Sequence, residues 1–102
     1  VSDDLPFGKI HGIKCPPFLD WLRGQICIVP DCQNPGEIHH VRGRRYGDVA
    51  QSIQLCHYCH MVLHAKGPNS FEKMHGVNLV LEAARAWVKW LEKEERSKSA
   101  DT

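Results

Sequence analysis

An α+β fold is what this sequence predicts, and three observations predict it. Two short segments, Glu37–Val41 after a turn signal and Ser52–Leu55 bounded by polar residues, read as strands. A helix starting in the Cys56–Cys59 pair places His60 and His64 four residues apart, hence on one helical face. From Leu79 to about Arg96, apolar residues recur every three to four positions, which predicts a long C-terminal helix.

Each element has its own local signal. Residues 1–14, with Pro6, Gly8 and Gly12, read as irregular. Pro17 suits a first helical position. Phe18, Leu19, Trp21 and Leu22 then form a short amphipathic helix ending near Gly24, with its apolar side expected on the metal core. Ile26-Cys27-Ile28-Val29 reads as a short strand leading into a turn at Pro30-Asp31. Asn34-Pro35-Gly36 is a turn, and Gly43 and Gly47 bracket a basic loop between the two strands. The helix bearing His60 and His64 should stop near Gly67-Pro68. Asn69 or Ser70 can cap a further short helix through Met74, closed by Gly76. Asn78 can cap the last helix, whose expected inward stripe is Val80, Ala84, Trp87 and Leu91, with Trp90 beside it. The polar tail from Lys93 to Thr102 should fray. The order strand, loop, strand, helix follows from these turn signals and periodicities.

At 102 residues the chain suits a single domain spanning 1–102, with its core at about 17–91. A domain of this size buries limited apolar area, so a structural metal would add stability. No apolar run approaches the ~20 residues needed to cross a bilayer, and no secretory signal is visible. Together with the cysteine and histidine usage, this reads as metal chemistry in a reducing cytoplasm, not as a disulfide framework.

The cysteines carry the strongest signal. Cys27 and Cys32 form one short-spaced pair, and Cys56 and Cys59 form another. Four thiolates in two turns match a closed tetrahedral zinc site. Cys15, the fifth, stands alone before Pro16-Pro17; a site of His11 with Cys15 is the weak alternative. Two other readings compete. A two-cysteine, two-histidine finger would use Cys27, Cys32, His60 and His64 and leave Cys56 and Cys59 unexplained. Covalent haem would use Cys56-x-x-Cys59-His60 and leave Cys27 and Cys32 without a role.

Four histidines remain for a second, open site. His60 and His64 can share an ion, and His39 or His40 is the natural third ligand. Adjacent residues of an ideal strand face opposite ways, so a twist or bulge at the strand end would be needed to bring both His39 and His40 to it. An imidazole left off the metal is suited to general-base work. Arg42, Arg44 and Arg45 directly follow and can neutralise phosphates, although the net charge of +1 is uninformative.

The arrangement His39-His40, then Ile53-Gln54-Leu55-Cys56-His57-Tyr58-Cys59-His60-x3-His64, resembles the HNH family of nucleases. The flanks Phe18-Leu-Asp-Trp-Leu-Arg, Phe71-Glu72 with His75-Gly76, and Ala84-Arg85-Ala86-Trp87 are similar to small phage and prophage members, including those related to the phage recombination-enhancement nuclease. The resemblance covers about residues 17–91. It implies a ββα-metal (His-Me finger) core with a structural zinc site at Cys27, Cys32, Cys56 and Cys59. It further implies a DNA endonuclease in a bacterial host cytoplasm, with a catalytic divalent metal on His39, His60 and His64 and His40 as general base. Mg²⁺ or Mn²⁺ is the expected ion, with Ni²⁺ or Zn²⁺ also suited to three imidazoles. Where the family has a central Asn that steadies the loop and orients the base, this chain has Gln51, with Asp48 as the other candidate. The alternative is a zinc-stabilised DNA-binding module without catalysis. Neither monomer nor homodimer is indicated.

Overall fold

The computed structural model of the chain describes residues 13–30, 32–43 and 46–100. Its elements are α1 (Pro16–Arg23), β1 (Glu37–His40), β2 (Ser52–Leu55), α2 (His57–Lys66), α3 (Pro68–His75) and α4 (Leu79–Ala100). The architecture is mixed α+β: a two-stranded antiparallel sheet, helices around it and a long C-terminal helix. The expected irregular start through Gly12, including His11, lies outside the described residues, as do Asp31, Arg44, Arg45, Asp101 and Thr102. No helix among the described residues is long and apolar enough to cross a membrane.

The sheet sets the side-chain directions. Glu37 lies opposite Leu55, Ile38 opposite Gln54, His39 opposite Ile53 and His40 opposite Ser52. Strand alternation therefore groups Glu37, His39, Ile53 and Leu55 on one face, and Ile38, His40, Ser52 and Gln54 on the other. The approach to β1 is tight. A Cβ on Gly36 would stand 2.5 Å from Gln54 Cβ, so only glycine fits there.

Two apolar clusters hold the elements. The first joins Cys27, Val29, Ile53, Leu55, Cys56, Cys59, Leu63, Phe71, Leu79 and Ala83. The second joins Phe18 and Leu22 of α1 to Ala86, with Ile38, Trp87 and Trp90 packed against them. Phe18 meets Trp87 edge-on at 5.1 Å between ring centroids. So α1 buries its apolar side against α4 and the two strands, in a cluster separate from that of the cysteines.

Three further expectations are corrected. Ile26–Val29 forms no strand. Ile26 makes a lone antiparallel bridge to Pro35, and the Cys32 amide donates to the Val29 carbonyl at 3.0 Å. The segment divides its amides between partners, Cys27 donating to the Asn34 carbonyl and Ile28 to that of Gln54, so no continuous ladder forms, while the expected turn after Val29 is present. Helix α3 starts at Pro68 behind Gly67, ahead of Asn69 and Ser70, because proline is preset for the first helical turn. In α4 the buried residues are Leu79, Ala83 and Ala86, while Val80 is 61% and Leu91 42% exposed. The helix has apolar residues on more than one face, and packing chose a stripe rotated from the expected one. Asn78 does cap α4, its Oδ1 accepting from the Leu81 amide at 3.0 Å. The helix continues to Ala100, through most of the polar tail.

Candidate metal centres

The turn before β1 and the first turn of α2 bring four sulfurs together. Cys27, Cys32, Cys56 and Cys59 all lie with their Sγ atoms within 4.8 Å of one another. Every cysteine is a thiol, not a disulfide. Cys32 Sγ and Cys56 Sγ are 3.7 Å apart. A tetrahedral zinc with Zn–S bonds of ~2.3 Å puts its sulfurs ~3.8 Å apart, so the donor set fits zinc in number, type and spacing. Cys56 is the N-cap of α2, and its sulfur accepts from the Cys59 amide at 3.4 Å. That amide, with neighbouring thiols, brings the Cys56 thiol down to about 7, so this sulfur gives up its proton readily. Burial pushes Cys27 and Cys59 the other way, towards the neutral thiol. A cation among the four sulfurs would reverse that penalty.

The histidines gather separately. His39 of β1 and His60 and His64 of α2 have ring nitrogens within 4.8 Å of one another. His39 Nδ1 and His60 Nε2 are 3.1 Å apart. Nitrogens bound at ~2.0–2.1 Å to one ion stand ~2.9–3.4 Å apart, so these imidazoles fit a shared metal. Burial, then the nearby His60, His64 and His40, hold His39 down at about 4. It is therefore neutral near pH 7, the form that ligates a metal.

Glu37 orients this cluster. Its Oε1 lies 2.9 Å from His60 Nδ1 and its Oε2 lies 3.2 Å from His57 Nδ1. The bonds from His60 and then His57 hold the Glu37 carboxyl below the usual range. With Nδ1–H of His60 donating to the carboxylate, Nε2 keeps its lone pair for the shared site. Glu37 was not anticipated from the sequence. Its signal was parity: it stands two residues before His39 on the same strand face.

His40 lies next to the cluster. A pocket of about 280 Å³ is lined by Ile38, His39, His40, Gly43, His60 and His64. Both His39 and His40 reach it, because β1 ends at His40 and turns away at Val41. His40 Nε2 donates to Asp48 Oδ1 at 2.9 Å, leaving Nδ1 as the acceptor. Asp48 is itself fixed, its Oδ2 accepting from the Cys15 amide at 2.6 Å.

Gln51 takes one of the two roles that the resemblance gives the central Asn, steadying the loop, while its polar atoms bond backbone and not His40. Its Oε1 accepts from the Arg42 amide at 3.0 Å, and its Nε2 donates to the carbonyls of Gly43 and Gly47. It braces the loop, and Asp48 is the side chain that touches His40. The longer glutamine side chain spends its polar atoms on the loop backbone, and the carboxylate fills the place beside the imidazole. Arg42 is exposed, with its guanidinium 5.2 Å above the Tyr46 ring. Arg44 and Arg45 lie outside the described residues.

These placements discriminate between the readings of the sequence. His60 and His64 join His39, not Cys27 and Cys32, which disfavours the two-cysteine, two-histidine finger. Cys56 and Cys59 join the other cysteines, which gives Cys27 and Cys32 the role that covalent haem would deny them. Comparison with family models, curated proteins and solved structures finds no match to this chain.

Proposed function

We propose that this chain is a metal-dependent endonuclease of the HNH type, hydrolysing DNA phosphodiester bonds on a ββα-metal unit formed by β1, β2 and α2. The observation that carries the reading is His40. It sits beside a three-imidazole cluster, with one ring nitrogen on a fixed carboxylate and the other left to accept a proton. Zinc on the four cysteines is structural in this reading.

In the proposed reaction, a water proton passes to His40 Nδ1 as the water oxygen attacks phosphorus. The P–O3′ bond breaks, the 3′ oxygen takes a proton from solvent water, and His40 returns its proton to solvent. Asp48 keeps Nε2 protonated, fixes the ring and stabilises the imidazolium that forms. A divalent ion on His39, His60 and His64, Mg²⁺ or Mn²⁺ for preference, supplies charge stabilisation for the phosphate and the leaving oxygen when bound. Arg42, exposed and stacked on Tyr46 two residues after His40, is the described cation proposed to hold a phosphate, with Arg44 and Arg45 following it in the sequence.

The test is nicking of a supercoiled plasmid with Mn²⁺ or Mg²⁺, and again with EDTA. Metal-dependent conversion to the open circle is expected from the wild type and not from His40→Ala. DNA binding without cleavage under every metal would replace this reading with a zinc-stabilised binding module.

A further inference from the structure

A second groove, of about 420 Å³, opens on the other side of Glu37. Asn34, Gly36, Glu37, His57 and Tyr58 contribute to its walls. Glu37 is the partition: it bonds His60 on the histidine side and His57 on the groove side. The groove therefore adjoins the proposed catalytic pocket.

Its chemistry differs from that of the arginine loop. Among the described residues no lysine or arginine lines it, and the carboxylate of Glu37 repels phosphate. Tyr58 stands 74% exposed, and Met61 one turn further along α2 is 59% exposed. Asn34 stands at the edge with its amide nitrogen on Cys32 Sγ at 3.7 Å, which leaves its carbonyl oxygen as an acceptor for a polar rim. Arg42 follows the opposite end of β1 from Glu37. One end of the strand thus offers a cation, and the other a flat ring in an uncharged or acidic trough. The part of a nucleotide that fits the trough is the base. In a regular duplex both faces of a base are covered by its stacked neighbours, so an exposed ring can stack only on a base that has left the stack or lies in a single strand.

We propose that Tyr58 and this groove receive an unpaired nucleobase adjacent to the phosphate held at the histidine site, so that the substrate is nucleic acid with unpaired nucleotides there and not regular duplex. The assignment rests on the nuclease reading above.

The experiment is binding, without added Mg²⁺ or Mn²⁺, of a short fluorescein-labelled single strand, the matching duplex, and an abasic strand of equal length. Fluorescence anisotropy reads the affinity. Wild-type protein should bind the base-bearing strand more tightly than either alternative. Tyr58→Ala should weaken that binding about 5- to 100-fold, the range expected for one lost base–aromatic stack. Tyr58→Leu, which keeps bulk without the flat ring, should fall with it, and Tyr58→Trp should retain affinity. The abasic strand should not distinguish wild type from Tyr58→Ala. Equal affinity of wild type and Tyr58→Ala for the base-bearing strand would overturn the proposal and make the groove a protein-contact surface or plain exterior. An equal loss on the abasic strand would overturn it too. Metal-dependent cleavage of neither plasmid nor the single strand, with Tyr58-dependent strand binding, would reject the nuclease reading alone; cleavage of either with Tyr58-independent binding would reject the groove alone.

Discussion

His39 and His40 are neighbours in sequence but differ in what holds them. His39 faces His60 and His64, while His40 is held by Asp48. Substitutions should separate them. His40→Ala is expected to lower cleavage by ~10²–10⁴-fold, the usual contribution of a positioned base, with zinc content unchanged. His64→Ala removes a proposed ligand, so raising Mn²⁺ should restore part of its activity but none of that of His40→Ala. Cleavage rate against metal concentration reads both, and rescue of His40→Ala would show that His39 and His40 exchange roles. His39 also makes a pH prediction. Its folded value is about 4 against an ordinary 6.5, with burial as the main cause. Between those values the unfolded chain binds a proton that the folded chain refuses. Stability should therefore be greatest above 6.5 and fall as pH drops through that window. In protein with zinc on the cysteines and no metal on the histidines, His39→Gln should flatten the fall in melting temperature. An identical fall in both proteins would sink the idea.

The helices show most clearly where local pattern and packing part company. Asn78 before α4 and Gly76 after α3 act as their residue types predict, one as a side-chain cap and the other at positive φ. The buried side of α4 was not readable in the same way, because Val80, Leu81, Val88 and Leu91 are apolar yet exposed. With apolar residues on more than one face, periodicity alone leaves the rotation of the helix undetermined. The contact that settles it is Phe18 of α1, fully buried against Ala86 and the rings of Trp87 and Trp90. Phe18→Ala should cost about 3–5 kcal/mol by chemical denaturation. Because the α1–α4 cluster is distinct from the cysteine cluster, zinc stoichiometry should stay unchanged. Loss of zinc in this variant would show that the two clusters are one cooperative unit.

For the molecule as a whole, the cysteine site ties the segment before β1 to the start of α2, and its sulfurs belong to the larger apolar cluster. Among the described residues few large apolar side chains are fully buried, so a metal on the cysteines should contribute much of the stability. Cys56→Ser should lower both zinc content and melting temperature, measured by elemental analysis and calorimetry. A wild-type protein that is fully folded and free of zinc would refute this. The histidine site should depend on it, since Cys59 and His60 are consecutive on α2 and Cys56 caps that helix. Loss of zinc is thus expected to abolish cleavage even when the catalytic metal is supplied in excess.

The two groups of candidate metal-binding side chains were legible in the sequence because much of their spacing is local. Two short-spaced cysteine pairs and two histidines four apart restrict which side chains can point the same way, whatever surrounds them. The two strands were legible for the same reason, from a turn signal and bounding polar residues. The tertiary structure decided what depends on distant partners. It placed Glu37 on His60, Asp48 on His40 and Gln51 on the loop backbone. It packed α1 on α4, and it gave Ile26–Val29 a lone bridge and a bend instead of a strand. Each outcome is a competition among polar or apolar groups far apart in the chain, and no spacing along the sequence encodes which of them arrives first in space.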